Sequence, residues 1–316
     1  MHFKNVISSA ALCLLLLGGH TAVAQQATPK QKVIIDTDIG DDIDDAFALA
    51  LALRSPELQI LQIDSAYGDT HLRARLLDRF LHDAGAPQIP FAQGVTTHAS
   101  NVFTQRAYAE QQPEPDRAYA DAVGTSLDLI RKYPGEVTLI AIAPLSNIGA
   151  MIDRDPDTFR KLKRVVLMGG SIHRGYGDLG YEPDKGPEPE WNIKMDIGSA
   201  GKLFQSGVPV FVMPLDATQL KLGEVKRQLL LKHGSALTDQ LAILYPQWGG
   251  QTPTLFDPMA VAYAVNPSLC RTTPMHLAVD GRGMTLPTAG APNAQVCLKS
   301  DPSEFFHFYL GRLLAP

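Results

Sequence analysis

Six aspartates lie within ten residues of this chain, between flanks that will hold their side chains together. They are Asp36, Asp38, Asp41, Asp42, Asp44 and Asp45. The apolar residues 33–35 precede the cluster, and the Ala/Leu-rich residues 46–53 follow it. Because both flanks will be buried, the carboxylates cannot separate into solvent, and they require a cation, raised pKa values, or both. Oxygen ligands of this kind suit a hard cation such as Ca²⁺ or Mg²⁺.

Simpler explanations cover only part of this cluster. Aspartate is favoured at a helix N-terminus, where it caps free N–H groups and meets the positive end of the dipole. Capping can account for two of the six residues. An EF-hand loop does not fit, because Gly40 stands where an oxygen ligand is needed. A phosphatase of the haloacid-dehalogenase type would use Asp36 as nucleophile, but we find no convincing later lysine with a second acidic pair.

The elements around the cluster alternate between strands and helices. Short β-branched runs predict strands at residues 32–36, 59–66, 136–142, 164–168 and 208–214. Helices are expected at residues 45–54, 72–84, 118–132, 146–152, 199–206 and 224–233. The run 46–53 also alternates like a strand, but it has no β-branched residue, which favours a helix. We therefore predict an α/β fold with a mostly parallel open sheet and helices on both faces.

Polar residues and glycines follow each predicted strand. These segments are the aspartate cluster, residues 67–70, residues 143–147, Gly169-Gly170, and Leu215-Asp216. Ligands of open α/β sheets bind outside the carboxyl ends of the strands, so a site is expected at this edge. The glycine pair either binds the ligand closely or simply turns the chain. Two long irregular segments, 94–117 and 171–190, are rich in Gly, Pro and charge, and we interpret the second as a lid or rim.

Composition restricts the location and partners of the protein. Lys4, an apolar stretch and Ala22-Val23-Ala24 predict a secretory signal over residues 1–24, leaving residues 25–316 as one secreted or periplasmic domain. No later stretch approaches membrane-spanning length. The formal net charge of −5 gives no reason to expect a nucleic-acid partner. Cys270 and Cys297 could pair in an oxidising compartment or remain buried free thiols.

Five ordered motifs resemble the inosine–uridine-preferring nucleoside hydrolases. The first is Asp36-x-Asp38-x-Gly40 with Asp44-Asp45-Ala46. It is followed by Pro144-Leu145-Ser146-Asn147, by Met168-Gly169-Gly170, by Glu190-Trp191-Asn192 with Asp196, and by Asp257-Pro258. One acidic run alone would be weak evidence, whereas five motifs in order at one sheet edge are specific. The resemblance covers residues 33 to about 265.

The resemblance implies Ca²⁺-dependent hydrolysis of the N-glycosidic bond of a small nucleoside, with a homo-oligomer possible. It assigns the metal to the carboxylates of Asp38, Asp45 and Asp257 and to the backbone carbonyl of Ile142. Asp38 would also be the catalytic base that takes a proton from the attacking water. Substrate contacts are implied for Asp44, Asp69, Met168, Glu190, Trp191, Asn192 and Phe256. A carboxylate-lined pocket would stabilise the positive charge that develops on the sugar.

Three departures from the family pattern affect these expectations. Two extra residues follow Gly40, so Asp41 or Asp42 could take the role given to Asp44. Asp69 stands where many relatives have Asn. Phe256 replaces the His that assists the leaving base in inosine- and pyrimidine-cleaving relatives. Purine-preferring relatives stack the base between aromatic rings, so we favour purine nucleosides, with Phe256, Trp191, Tyr245, Trp248 and Tyr181 available for stacking.

Several alternatives stay open at this stage. Asp216 is expected to cap a helix rather than support the site. Trp248 and Tyr245 share a helical stripe with two leucines, which is more typical of core packing than of base stacking. His98 and His173 could replace the missing acid, although loop histidines are usually solvated. A non-catalytic periplasmic protein that binds ribosides through Ca²⁺, or a hydrolase of another riboside, is the alternative function.

Overall fold

A computed structural model describes residues 1–2, 29–98, 101–111, 113, 118–177 and 186–315; the predicted signal sequence lies almost entirely outside them. Eight strands of the described chain form one sheet with the order β3-β2-β1-β4-β5-β6-β10-β7. They are β1 Gln31–Thr37, β2 Leu58–Ser65, β3 Phe91–Gln93, β4 Thr138–Ile142, β5 Arg164–Met168, β6 Val210–Met213, β7 Thr272–Met275 and β10 Ala294–Cys297. The antiparallel pair β8 Leu277–Val279 and β9 Thr285–Pro287 stands apart.

The sheet is parallel except at one edge, where β7 and β10 pair antiparallel. All five predicted strands are present, with ends within two residues of the prediction. The mostly parallel α/β fold is therefore confirmed. The strands that the sequence did not reveal, including β3 and β7, are three or four residues long, too short to show periodicity.

Helices cover both faces of the sheet. They are α1 Asp44–Leu53, α2 Thr70–Asp83, α3 Arg106–Glu110, α4 Ala122–Lys132, α5 Ser146–Arg154, α6 Pro156–Phe159, α7 Trp191–Lys194, α8 Ile197–Gln205, α9 Leu215–Thr218, α10 Glu224–Leu231, α11 Ala236–Trp248, α12 Phe256–Val265 and α13 Pro302–Leu313. The run after the aspartates is a helix, as its composition predicted. The helix expected from residue 118 begins at Ala122, because the carboxylate of Asp121 accepts the N–H of Gly124 and caps it there.

Alternate residues of β1 face two separate apolar cores. Val33 and Ile35 pack in the core beneath α1, α11 and α12, whereas Ile34 packs in the core beneath α4, α5 and α8. A strand buried on both faces is typical of a parallel sheet, and it explains the continuous apolar run. Asp36 is still part of this buried strand, and the other five aspartates follow its end at Thr37.

A disulfide joins Cys270 to Cys297, the last residue of β10. Of the two states left open by the sequence, the paired one is therefore present. The bridge ties the segment after α12 to the edge of the sheet. None of the helices in the described part of the chain is both long and apolar enough to span a membrane.

Candidate active site

A cavity of about 440 Å³ opens at the carboxyl ends of the central strands. Its lining combines seven carboxylates with four aromatic rings. The lining residues are Asp38, Asp41, Asp42, Asp44, Asp45, Asn101, Val102, Thr104, Ile142, Met168, Tyr176, Glu190, Trp191, Asn192, Trp248, Phe256 and Asp257. Every residue assigned above to metal, catalysis or substrate lies here, with the exception of Asp69.

Three buried carboxylates form the floor of the cavity. Asp44 and Asp45 occupy the first turn of α1, and Asp257 occupies the first turn of α12. One oxygen from each of these side chains lies within 4.8 Å of the others. The two helix N-termini are joined directly, because the backbone N–H of Asp257 donates to Asp44 Oδ2 at 3.1 Å. The Thr37 hydroxyl donates to Asp45. The dipoles of both helices favour negative charge at this point.

Burial and mutual repulsion make this floor a suitable place for a cation. Desolvation and then the neighbouring carboxylates raise the pKa values of Asp44, Asp45 and Asp257 well above the ordinary value. None of the three pairs with a basic side chain among the hydrogen bonds and ion pairs of the described residues. A hard divalent cation with oxygen ligands would relieve both penalties. The residues present therefore fit a metal ion, although Asp44 rather than Asp38 completes the closest group.

Asp38 lies beside this group, with a pKa suited to proton transfer. Burial raises the pKa of Asp38 to about 7, against the opposing effects of the Arg73 charge and a hydrogen bond from the Trp191 side chain. A carboxylate that titrates near neutral pH can accept a proton during turnover. The partnership of Asp38 and Trp191 could not be read from the sequence, because it joins residues far apart in the chain.

Arg73 is a fully buried cation behind the aspartates, and no sequence pattern singles it out. Its guanidinium donates to the carbonyls of Asp38 and Ile39 and to the carbonyl of Tyr67. It also forms an ion pair with Asp41 at 2.5 Å, and its side chain is 1% exposed. A planar group with several donors in fixed directions is well suited to hold two loops together. The backbone beside Asp38 is thereby fixed.

The two extra residues of the aspartate loop have different environments. Asp41 pairs with Arg73 and accepts a hydrogen bond from Asn101, so its charge is already compensated. Asp42 is exposed at the cavity edge, and its carboxylate accepts the N–H of Ile43. Neither residue joins the three-carboxylate group, and Asp44 keeps the position next to Asp257.

Gly40 allows a second segment to cover this loop. Its φ of +128° lies in the region that side chains disfavour, and a Cβ here would approach the Phe103 ring to 2.3 Å. The N–H of Gln105 donates to the Gly40 carbonyl at 3.0 Å. This close packing brings Asn101 and Val102 to the cavity, which the sequence did not predict.

Glu190 organises the opposite wall as well as facing the cavity. Its carboxylate accepts the N–H groups of Asn192 and Ile193 at the start of α7, and that of Gly170 after β5. Burial raises the pKa of Glu190 to about 7, although these hydrogen bonds lower it. The Asn192 amide in turn donates to the Met168 carbonyl at 3.0 Å. Gly170, at a φ of +84°, both turns the chain and binds Glu190.

Four aromatic residues form the outer part of the cavity. Phe256 meets Tyr176 edge to face at 5.8 Å, and Trp191 meets Tyr67 in the same way at 5.9 Å. Trp248 packs against the apolar core and also lines the cavity, so both roles considered for it are compatible. Tyr176 was missed, because it lies in an irregular segment without periodicity. Tyr245 does not line the cavity, and Tyr181 lies outside the described residues.

Several candidates have structural roles or lie elsewhere. Asp69 is exposed and caps α2 by accepting the N–H of Leu72 at 3.0 Å, so the structure gives no support to its predicted sugar contact. His98 and His173 are exposed and do not line the cavity. Asp216 is not an N-cap: it accepts the N–H groups of Ile172 and His173, which anchors the segment after β5.

A comparison with models of protein families identifies the family of this chain. Residues 33–307 match the model of the inosine-uridine preferring nucleoside hydrolases. The chain belongs to this family. It is therefore an N-glycosyl hydrolase, which favours the enzymatic interpretation over the non-catalytic binding protein. The match extends beyond the cavity to nearly all of the sheet.

Individual relatives of this nucleoside hydrolase have different specificities. A pyrimidine-specific ribonucleoside hydrolase, RihA of Salmonella gallinarum, is 29% identical over 89% of this chain and 97% of its own. A plant nucleoside hydrolase, PpNRh1, is 26% identical with a TM-score of 0.78, covering 91% of this chain and all of its own. A purine-preferring hydrolase from Gardnerella vaginalis is 25% identical with a TM-score of 0.74, covering 90% and 98%. Base preference therefore does not follow from membership.

Proposed function

We propose that this nucleoside hydrolase cleaves ribonucleosides to the free base and ribose in a Ca²⁺-dependent reaction, and that it favours purine nucleosides. The observation that carries the proposal is one cavity with buried carboxylates on its floor and aromatic rings at its mouth. The floor offers oxygen ligands only, which a hard cation prefers. The mouth offers flat apolar surface, which a base prefers.

The proposed roles follow the family resemblance, and all of these residues line the cavity except Asp69. Asp38, Asp45 and Asp257, with the carbonyl of Ile142, hold the metal. Asp44, Glu190 and Asn192 bind the sugar hydroxyls, with Met168 packed beneath the ring, and Asp69 is no longer given a role. Trp191 and Phe256 contact the base. When bound, Ca²⁺ would act as a Lewis acid and lower the pKa of a coordinated water.

The protein side chains then account for the rest of the reaction. The bond between C1′ and the base nitrogen breaks with its electron pair moving to the base, so positive charge develops on the sugar. The fixed carboxylates of the floor stabilise that charge more than they stabilise the neutral sugar. Asp38 accepts the proton of the water that adds to C1′, as a pKa near neutral allows.

The purine preference rests on Phe256, which cannot donate a proton. No histidine lines the described part of the cavity, so a base that leaves poorly as an anion lacks assistance. A purine can be protonated on its own ring before it leaves. It also presents a larger face to Phe256 or Trp191, and aromatic pairs contribute about 0.5–1.5 kcal/mol beyond burial.

A nucleoside panel with and without chelator tests the proposal. We expect kcat/KM for inosine, guanosine or adenosine to exceed that for uridine by at least roughly tenfold, which corresponds to about 1.4 kcal/mol. Chelation should abolish activity and added Ca²⁺ should restore it. Full activity in metal-free protein would contradict the metal dependence, and equal turnover of uridine would contradict the purine preference.

We also propose that the chain is exported and cleaved after Ala24. The disulfide between Cys270 and Cys297 supports an oxidising compartment. Mass spectrometry of the protein from a periplasmic or culture fraction should find Gln25 at the N-terminus. An uncleaved chain in the cytoplasm would contradict this.

A further inference from the structure

The described part of the cavity contains many negative groups and no positive ones. Seven carboxylates line it, with no lysine, arginine or histidine among the described lining residues. Arg73 lies behind the lining and balances Asp41. A divalent cation would balance two more charges, which leaves four carboxylates without a formal counter-charge.

One of these carboxylates has no role in the proposed reaction. Asp42 does not belong to the metal group, is not paired with Arg73, and does not contact α12 as Asp44 does. It is exposed at the edge of the same cavity that Trp248 and Phe256 line. A cavity that combines a carboxylate with aromatic rings in its lining suits an organic cation, because the ring quadrupole attracts positive charge as well.

The aromatic residues of the cavity offer little help to a neutral leaving base. Phe256 carries no proton, and the exposed His98 and His173 do not line the cavity. The Tyr176 hydroxyl is engaged, because it accepts the N–H of Trp191 at 2.8 Å and lies 3.5 Å from Glu190 Oε1. Chemistry that needs no leaving-group acid suits this cavity better than chemistry that does.

Resting on the proposed N-ribohydrolase function, we propose that this site also takes ribosides whose base carries a fixed positive charge, such as N-ribosyl pyridinium compounds, and binds them more tightly than neutral ribosides of the same ring skeleton. Such a base leaves without a proton. When the bond between C1′ and the ring nitrogen breaks, the electron pair moves to that nitrogen and cancels the charge, which releases a neutral base. Water supplies the hydroxyl of C1′, and its proton passes to Asp38. No oxidant or further reactant is required.

Ribosides with a cationic base hydrolyse faster than neutral ones even without an enzyme, so reaction rates alone do not reveal a preference of the site. Binding affinities do. Nicotinamide riboside and its reduced dihydro form share one ring skeleton and differ in charge. The test is to compare Kd for both compounds on the Ca²⁺-loaded Asp38→Asn variant, which keeps the cavity but lacks the catalytic base. The cationic form should bind at least roughly tenfold more tightly, the scale of a desolvated cation–π contact.

The role of Asp42 is tested with a matched pair of isosteric variants. Asp42→Asn should lower the ratio of kcat/KM for nicotinamide riboside to that for inosine by about threefold or more, since one charge at the cavity edge is removed. Asp128→Asn removes the same charge from an exposed site on α4 and should leave this ratio unchanged.

The outcomes distinguish this inference from the function on which it rests. Hydrolysis of inosine with equal binding of the two nicotinamide ribosides would overturn the charge preference and leave the ribohydrolase proposal intact. An unchanged ratio in Asp42→Asn would overturn the role of that carboxylate in the preference. Failure to bind or cleave any riboside, neutral or cationic, would overturn both proposals.

Discussion

Asp38 shows how one carboxyl group can be adjusted for catalysis by its burial and by its neighbours Arg73 and Trp191. Burial has the largest effect on its pKa, which is raised to about 7, while the Arg73 charge and the Trp191 hydrogen bond oppose that effect. Removing the carboxylate should therefore affect rate more than structure. We predict that Asp38→Asn keeps the fold and lowers kcat by about 10²–10⁴.

Steady-state kinetics and thermal melts check this prediction together. The amide keeps an oxygen in place, so a Ca²⁺-induced rise in Tm should persist in the variant. If the variant retained more than about a third of the wild-type kcat, another residue would have to be the base.

Arg73 is the residue on which the geometry of the aspartate loop depends. Removing its charge leaves Asp41 buried and unpaired, which typically costs about 3–5 kcal/mol. We predict that Arg73→Met loses unfolding free energy on this scale in denaturant titrations and binds Ca²⁺ more weakly in calorimetry. The double variant Arg73→Met/Asp41→Asn should recover part of the stability but not the Ca²⁺ affinity. The Asp38 and Ile39 carbonyls still lack the hydrogen bonds from the Arg73 guanidinium. Wild-type Ca²⁺ affinity in the single variant would exclude this positioning role.

The sequence predicted the secondary-structure elements of this fold but not the contacts between individual side chains. Parallel strands buried on both faces must be apolar throughout, and the helices between them must carry an apolar stripe, so both leave a pattern in the chain. The carboxyl ends of such strands meet at one edge, which places the aspartates near Met168 without further information. Glu190 follows no strand, and only the family resemblance placed it in the site. The antiparallel edge left no comparable signal, because β7 and β10 are four residues long.

The partners of individual side chains could not be predicted, because nothing local specifies them. Arg73 and Asp41 are 32 positions apart, and Asp216 and Ile172 are 44 apart. Asp216 fits a helix cap by composition, and only the packing of α9 against the segment after β5 redirects its carboxylate. Asp69 fitted a sugar contact by motif, and the contact that its carboxylate makes in the structure is the cap of α2.

Asp216 links α9 to the segment that carries Tyr176. Its two oxygens accept the N–H groups of Ile172 and His173 at 2.9 and 2.8 Å. We predict that Asp216→Ala costs about 1–3 kcal/mol of stability, since buried donors lose their acceptor, and raises KM for nucleosides. Asp216→Asn keeps one acceptor and should lose less of both. Calorimetry and kinetics on the two variants check this, and an unchanged KM in Asp216→Ala would show that this anchor does not shape the site.

At the scale of the whole molecule, the buried carboxyl groups lower the unfolding free energy of the metal-free protein. Desolvation is the first cause of the raised pKa values of Asp38, Asp64 and Glu190, each of which reaches about 7. The same groups titrate near 4 in an unfolded chain. Between those values the folded state holds protons that the unfolded state has released. Each group then lowers the unfolding free energy by up to about 1.4 kcal/mol per pH unit.

The sign of this linkage gives a prediction for the metal-free enzyme. The contribution of these groups is fully present below about pH 4 and is lost as pH rises through about 7. We therefore expect the Tm in chelator to fall between about pH 5 and pH 8. A cation binds only the ionised carboxylates, so the rise in Tm caused by Ca²⁺ should grow over the same window.

Scanning calorimetry at several pH values, with chelator or with Ca²⁺, provides the measurement. Asp64 lies outside the cavity, where it accepts hydrogen bonds from Ser126 and Gln62. Asp64→Asn should therefore make the fall of Tm with pH in chelator shallower, whatever its effect on the absolute Tm, and should leave the Ca²⁺-induced rise in place. A Tm in chelator that stays level or climbs from about pH 5 to pH 8 would be incompatible with carboxyl groups held protonated by burial. In that case, ionised carboxylates would have to be stabilised by partners within the fold, and the cavity floor would not need a cation.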